Sequence, residues 1–301
     1  MRGHFIRPCA EDSARTTATL SMPSDSVFAA IGAAPGFFVS VLSVLYILAS
    51  AYVYFSLIHQ IRSRPPNPVD PGHSSERAFG LPEAVLAAVL VLFLLLNISA
   101  SFSQPAIDFS ARNLLANFLL MALVVLFIVS FLQLRRFDVI ALGGFFRISF
   151  IRTLGTAAVL LFFAYPLILF SDVLTQRLFG GGSSKQNIVE FFSGSHTIEQ
   201  RIVIIVFAVA IAPVIEEFVF RFFIYGVTRR YFGRLIGVTF SALLFAAAHA
   251  HFPSFVPLFI LGSCFAIAYE WSGSILVPMT MHSLFNAVTL TALAFPEIFS
   301  Q

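Results

Sequence analysis

Long runs of apolar residues, broken by short polar joints, occupy most of this chain after residue 26. A run of about 20 such residues, wound as a helix, matches the hydrocarbon thickness of a bilayer. About eight runs reach or approach that length, at residues 36–58, 84–101, 114–134, 154–174, 202–227, 235–250, 255–269 and 275–295. The pattern predicts an all-α fold: a polytopic transmembrane helical bundle in the cell membrane.

The polar joints divide it. Residues 62–78 are rich in Pro, Ser and Arg, and Gly180-Gly-Gly-Ser-Ser184 opens a polar stretch that reaches Gln200, both marking connectors. The expected organisation is a polar, disordered leader over 1–26, a scaffold of four spans over 27–176, a connector over 177–200 and a second membrane block over 201–296. The leader carries Arg2, Arg7 and Arg15 without a distinct apolar core before Ser26, so it does not read as a cleaved signal peptide, and Met22 is a candidate start. No repeat of fixed period and no Gly-rich phosphate loop occurs.

Composition narrows the function classes. The chain is 58% hydrophobic and 11% charged with a mean hydropathy of +0.90, against about 25% charge in a soluble domain. Its net charge of +3 sets 17 arginines and one lysine against 15 acids and belongs to membrane loops, with no basic cluster interleaved with aromatics, so no nucleic-acid partner is expected. Cys9 and Cys264 are the two cysteines, too few for a disulfide framework. Ten arginines fall in the loops after spans one, three and five, against Arg112, Arg177, Lys185 and Arg201 on the other side. The positive-inside bias makes the first side cytoplasmic and both termini external.

Candidate chemistry lies beyond the second connector. Glu216, Glu217 and Arg221 sit inside an apolar run, where each ionised group costs roughly 2.5–3.5 kcal/mol on insertion scales. Glu217 and Arg221 are four apart with the acid first, the favourable order for an ion pair on one face. Glu216 is turned about 100° from Glu217, so it is expected to stay unpaired within the helix and to be available as a base. Pro213 predicts a kink or helix restart, with Glu216 near the new N-terminal end. If the chain reverses near Gly233, His249 comes level with Glu216, with His251 as a less buried competitor. His282 and Asn286, again four apart, share a face of the last span, with His282 about 10 Å nearer the opposite surface by helical rise. Asn97 reads as packing glue and Glu270-Trp271 as an interfacial helix end.

The set Glu216-Glu217-x-x-x-Arg221, Phe245-x-x-x-His249 and His282-x-x-x-Asn286, on successive apolar helices, resembles the CPBP intramembrane protease family, also called ABI. That family includes CAAX prenyl endopeptidases and bacteriocin-immunity proteins. The resemblance covers about residues 200–295 and implies a helical-bundle endopeptidase whose partners are the bilayer and a membrane-embedded or membrane-associated peptide or protein. It implies that Glu216 activates water with help from His249, that His282 and Asn286 stabilise the oxyanion, and that Glu217 and Arg221 support the site. Glu216, His249 and His282 also offer a Glu-His-His set like a catalytic zinc site, although the helical H-E-x-x-H signature is absent. The expectation is therefore metal-free glutamate catalysis, with one divalent metal ion, zinc for example, as the alternative. Two other classes stand beside it: a non-catalytic immunity or assembly factor, and a proton-coupled transporter, whose duplicated halves are not seen here. The inferred orientation puts the Glu216 and His249 end toward the outer face, opposite to cytosolic CAAX processing.

Overall fold

The computed structural model describes residues 24–64, 78–103, 111–179 and 198–295. The leader through residue 23 and most of the 177–200 connector lie outside the described residues. Every regular element among them is helical: α1 (Ser24–Ser63), α2 (Leu81–Ser103), α3 (Ala111–Leu134), α4 (Val139–Leu142) and α5 (Phe150–Phe179) precede the second connector. After it come α6 (Ile198–Ile205), a π-helical stretch π1 (Val206–Ile211), α7 (Ala212–Glu217), π2 (Phe218–Tyr225), α8 (Gly226–Ala248), a 3-10 turn (Phe252–Ser254), α9 (Phe255–Ser272) and α10 (Leu276–Ala294). An apolar run in lipid must satisfy its backbone internally, which selects helix.

Among the described residues six helices are long and apolar enough to cross a membrane, and Phe118–Leu134 is a shorter apolar helix. One of the six, Ile198–Ala248, has 51 residues, about 76 Å at helical rise and twice a bilayer. Gly233 resolves the mismatch with φ 84° and ψ 172°, a conformation open to glycine alone. The chain doubles back there, and a β-carbon at Gly237 would stand 3.0 Å from the Tyr225 ring and 3.2 Å from the Arg229 amide nitrogen. Counting this helix twice and the shorter one once reconciles the structure with about eight spans. The protein is a multi-pass integral membrane protein.

The chain divides into two compact units, Met1–Val44 and Leu45–Gln301. Described side chains of the first, such as Phe37 and Leu42, are exposed apolar groups. The second holds every candidate residue. In it Tyr54 donates its hydroxyl to the Leu160 carbonyl at 2.8 Å, tying α1 to α5. Its core is built from Phe222, Phe223, Phe245 and Phe265, all buried, while Phe55, Leu123 and Phe150 face outward, as lipid permits.

The loops following spans one, three, five and seven meet at one end of this unit. Arg64 donates to the Trp271 carbonyl at 2.8 Å, Arg234 donates to the Ile61 carbonyl at 2.8 Å, and the Ile275 amide donates to the Gly143 carbonyl at 2.9 Å. The arginine-rich loops thus share a side, as the charge bias requires. Glu270 is more than an interfacial helix end: it pairs with Arg229 at 2.6 Å and Arg234 at 2.9 Å and accepts the Tyr225 hydroxyl at 2.6 Å. At the same end Arg135 pairs with Glu83 at 3.0 Å, whose other oxygen accepts the Gly80 amide at the start of α2, half of a capping box.

Candidate active site

The helical register changes where the candidate acids lie. At the end of π1 the Ala212 amide reaches back five residues to the Phe207 carbonyl, so the Ala208 carbonyl loses its α-helical donor. Pro213, next in line, has no N–H to offer. Asn286 supplies the missing donor from α10, its Nδ2 lying 2.7 Å from the Ala208 oxygen. The expected break at Pro213 is therefore a change of pitch within a continuous helix. Glu216 lies in α7, which runs on from π1, and does not stand at a free helix N-terminus.

Glu217 and Arg221 form the i, i+4 ion pair that their spacing predicts, at 2.9 Å, with both side chains fully buried. The same Glu217 Oε1 accepts His282 Nδ1 at 2.9 Å. The 10 Å depth offset expected for His282 is absent, because α10 brings it level with the start of π2. Arg221 also donates Nη2 to the Gly262 carbonyl at 3.2 Å and stacks its guanidinium 4.2 Å from the Phe245 ring centroid. Gly262 makes this possible, since a β-carbon there would sit 3.1 Å from Arg221 Nη2 and 3.3 Å from the Ala242 Cα. His282 is held in turn between the Phe265 ring, stacked at 5.1 Å, and the Phe245 ring at 5.7 Å.

Glu216 takes no part in the hydrogen bonds of this network. It is half-buried, and its Oε2 is buried without a hydrogen-bond partner. His249 caps the end of α8 and sits 4.8 Å from the Phe245 ring, on which His282 also packs. Its Nδ1 lies 2.8 Å from the Phe245 carbonyl. A carbonyl only accepts, so Nδ1 carries the proton and Nε2 of the neutral ring keeps its lone pair. Ala250, with φ 48°, turns the chain out of the helix directly afterwards. His251 pairs with Ser254 Oγ at 2.7 Å, fastening the 3-10 turn. Among the described residues no three His, Cys, Asp or Glu side chains gather as a metal-binding group, so Glu216, His249 and His282 do not form the zinc-like trio in this geometry.

A cavity of about 260 Å³ opens beside Asn286 and Ala208. Tyr165, Ile168, Leu169 and Asp172 of α5 line it, opposite Leu258 and Leu261 of α9 and Leu290 of α10. Its walls do not include Glu216, His249 or His282. The α5 face was missed in the sequence, where Asp172 closes a scaffold span; its spacing from Tyr165, Ile168 and Leu169 is the i, i+3, i+4, i+7 signal of one helix face.

Residues 198–288 match the family model described as type II CAAX prenyl endopeptidase Rce1-like. The chain is 35% identical over 153 residues to the membrane-embedded CAAX protease MroQ of Staphylococcus aureus (strain USA300), covering 48% of this chain and 58% of that protein. It is 32% identical over 98 residues to the uncharacterized protein YpbD of Bacillus subtilis (strain 168), covering 31% of this chain and 48% of that one. The chain thus spans about half the length of these curated relatives. No solved structure matches it.

Proposed function

We infer that this chain, which carries an Rce1-like type II CAAX prenyl endopeptidase segment over residues 198–288, is an intramembrane endopeptidase that hydrolyses a peptide bond in a membrane-associated protein or peptide. The protease activity in the name of the staphylococcal relative is proposed for this chain as well; prenylation of the substrate is not part of the proposal.

The observation that carries the reading is the division of labour between two adjacent acids. Each acid keeps one buried oxygen without a partner, but Glu217 is engaged on its other oxygen by both Arg221 and His282, whereas among the described residues no ion pair engages Glu216. Glu216 is the base in this reading: it takes a proton from water as the water oxygen bonds to the substrate carbonyl carbon. The lone pair of His249 Nε2 receives that proton from Glu216 and passes it to the substrate nitrogen as the C–N bond breaks, so the amine leaves neutral and Glu216 is regenerated. Asn286 spends one amide hydrogen on Ala208 and keeps the second for the oxyanion. His282, held through Nδ1 by Glu217, is the second group assigned to the oxyanion. Arg221 and Glu217 hold His282 at the required depth.

No step is routed through a metal, because the acid and the two histidines are not gathered as a ligand set. The test is cleavage by Glu216→Gln, a substitution that keeps size and removes the base. The reading expects a loss of about 10²- to 10⁴-fold in a variant that remains folded, with the activity of the intact protein surviving prior exposure to a chelator.

A further inference from the structure

The cavity beside Asn286 contains two polar groups that neither the fold nor the proposed chemistry uses. Asp172 Oδ2 accepts the Gln176 amide at 2.9 Å, but Oδ1 is buried without a partner. The Tyr165 hydroxyl, two turns earlier on the same face of α5, is also buried without a partner. Buried polar atoms left unsatisfied in this way call for an explanation, and an acid within an apolar span calls for a cation or a task. The terminal torsion of an aspartate is soft, so a small rotation presents Oδ1 to the cavity. The remaining wall is largely aliphatic: Ile168, Leu169, Leu258, Leu261 and Leu290.

A largely apolar cavity with an acid at one wall suits a long aliphatic stem ending in a positive charge. At about 260 Å³ it lies just below the roughly 300 Å³ at which pockets begin to hold whole small ligands, the scale of a single side chain. Asn286 lines the cavity and also caps Ala208, so a group bound here stands next to one residue assigned to the reaction.

We propose that this cavity is the specificity pocket for a basic side chain of the substrate, lysine or arginine, with Asp172 as its counter-ion and the Tyr165 hydroxyl accepting a peptide N–H of the same segment. The proposal rests on the endopeptidase reading for its substrate, but binding in the pocket is testable without cleavage.

The probe is octylamine, with octanol as its neutral counterpart, added to the purified full-length protein while thermal unfolding is followed. Octylamine is expected to raise the unfolding temperature of the intact protein and of Glu216→Gln, octanol is not, and the rise should disappear in Asp172→Asn and return in Asp172→Glu. Equal effects of amine and alcohol, or an octylamine effect unchanged in Asp172→Asn, would overturn the pocket. If Asp172→Asn does not fold, Tyr165→Phe takes its place and should weaken the octylamine shift. In host membranes, peptide termini made by the intact protein should carry Lys or Arg at one fixed position from the cut, a preference relaxed in Asp172→Asn. Cuts that vanish in Glu216→Gln yet show no basic preference would sink the pocket and leave the protease. A charge-selective pocket together with termini unchanged in Glu216→Gln would keep the pocket and sink the protease.

Discussion

Asn286 and Ala208, 78 residues apart in sequence, are joined by a 2.7 Å hydrogen bond from the Asn286 amide to the Ala208 carbonyl. The bond exists because the π-turn removes the usual donor and Pro213 cannot replace it. One residue thereby fixes the last helix against the helix that bears both acids.

That relationship predicts a coupling. Asn286→Ala leaves a buried carbonyl unsatisfied and should cost about 1–3 kcal/mol. Pro213→Ala restores an N–H within reach of the same carbonyl, so the loss from Asn286→Ala should be smaller in that background. A double-mutant cycle by denaturation in detergent should give an interaction of about 0.5–3 kcal/mol; strict additivity would mean that Pro213 is not the cause.

Arg221 and Glu217 should behave as one buried unit. Removing the cation alone, as in Arg221→Met, strands Glu217 and is expected to cost about 3–5 kcal/mol, whereas Glu217→Gln with Arg221→Met should cost less than Arg221→Met alone. Thermal unfolding of the three variants checks the order.

Gly262 is a steric prediction. Its missing side chain lets Arg221, Phe245 and the α8 backbone close on α9, so Gly262→Val should destabilise by about 1–3 kcal/mol through overpacking. A variant as stable as the parent would show that the helices can separate at no cost.

Gly233 isolates a conformational effect. Nothing lies within 4 Å of a β-carbon built there, yet its φ of 84° excludes an unstrained alanine. Gly233→Ala should cost about 1–3 kcal/mol, read as a lower unfolding temperature, with no new clash to explain it.

Local features of this site were legible in the sequence. The Glu217–Arg221 pair depends only on helical spacing, and the turn at Gly233 on the length of a bilayer. What depends on pitch or on distant contacts was not. Residue counting at α-helical rise placed His282 off the level of the acids, yet it bonds Glu217 from 65 residues away. A kink was expected at Pro213, where the helix instead passes from π to α pitch, because apolar periodicity does not distinguish five-residue from four-residue hydrogen bonding. Glu270 was read as an interfacial end; the three arginines at 229, 230 and 234 were the available sign that an acid was wanted nearby.

The central claim is that Glu216 is a base for peptide hydrolysis. Its most direct test is quantitative profiling of peptide termini in native host membranes, comparing the intact protein with Glu216→Gln at matched expression. Termini present with the intact protein and absent with the variant are the predicted result, and they would identify the substrate and the membrane face of cleavage. Identical termini from a folded variant that still supports the cellular phenotype would contradict it.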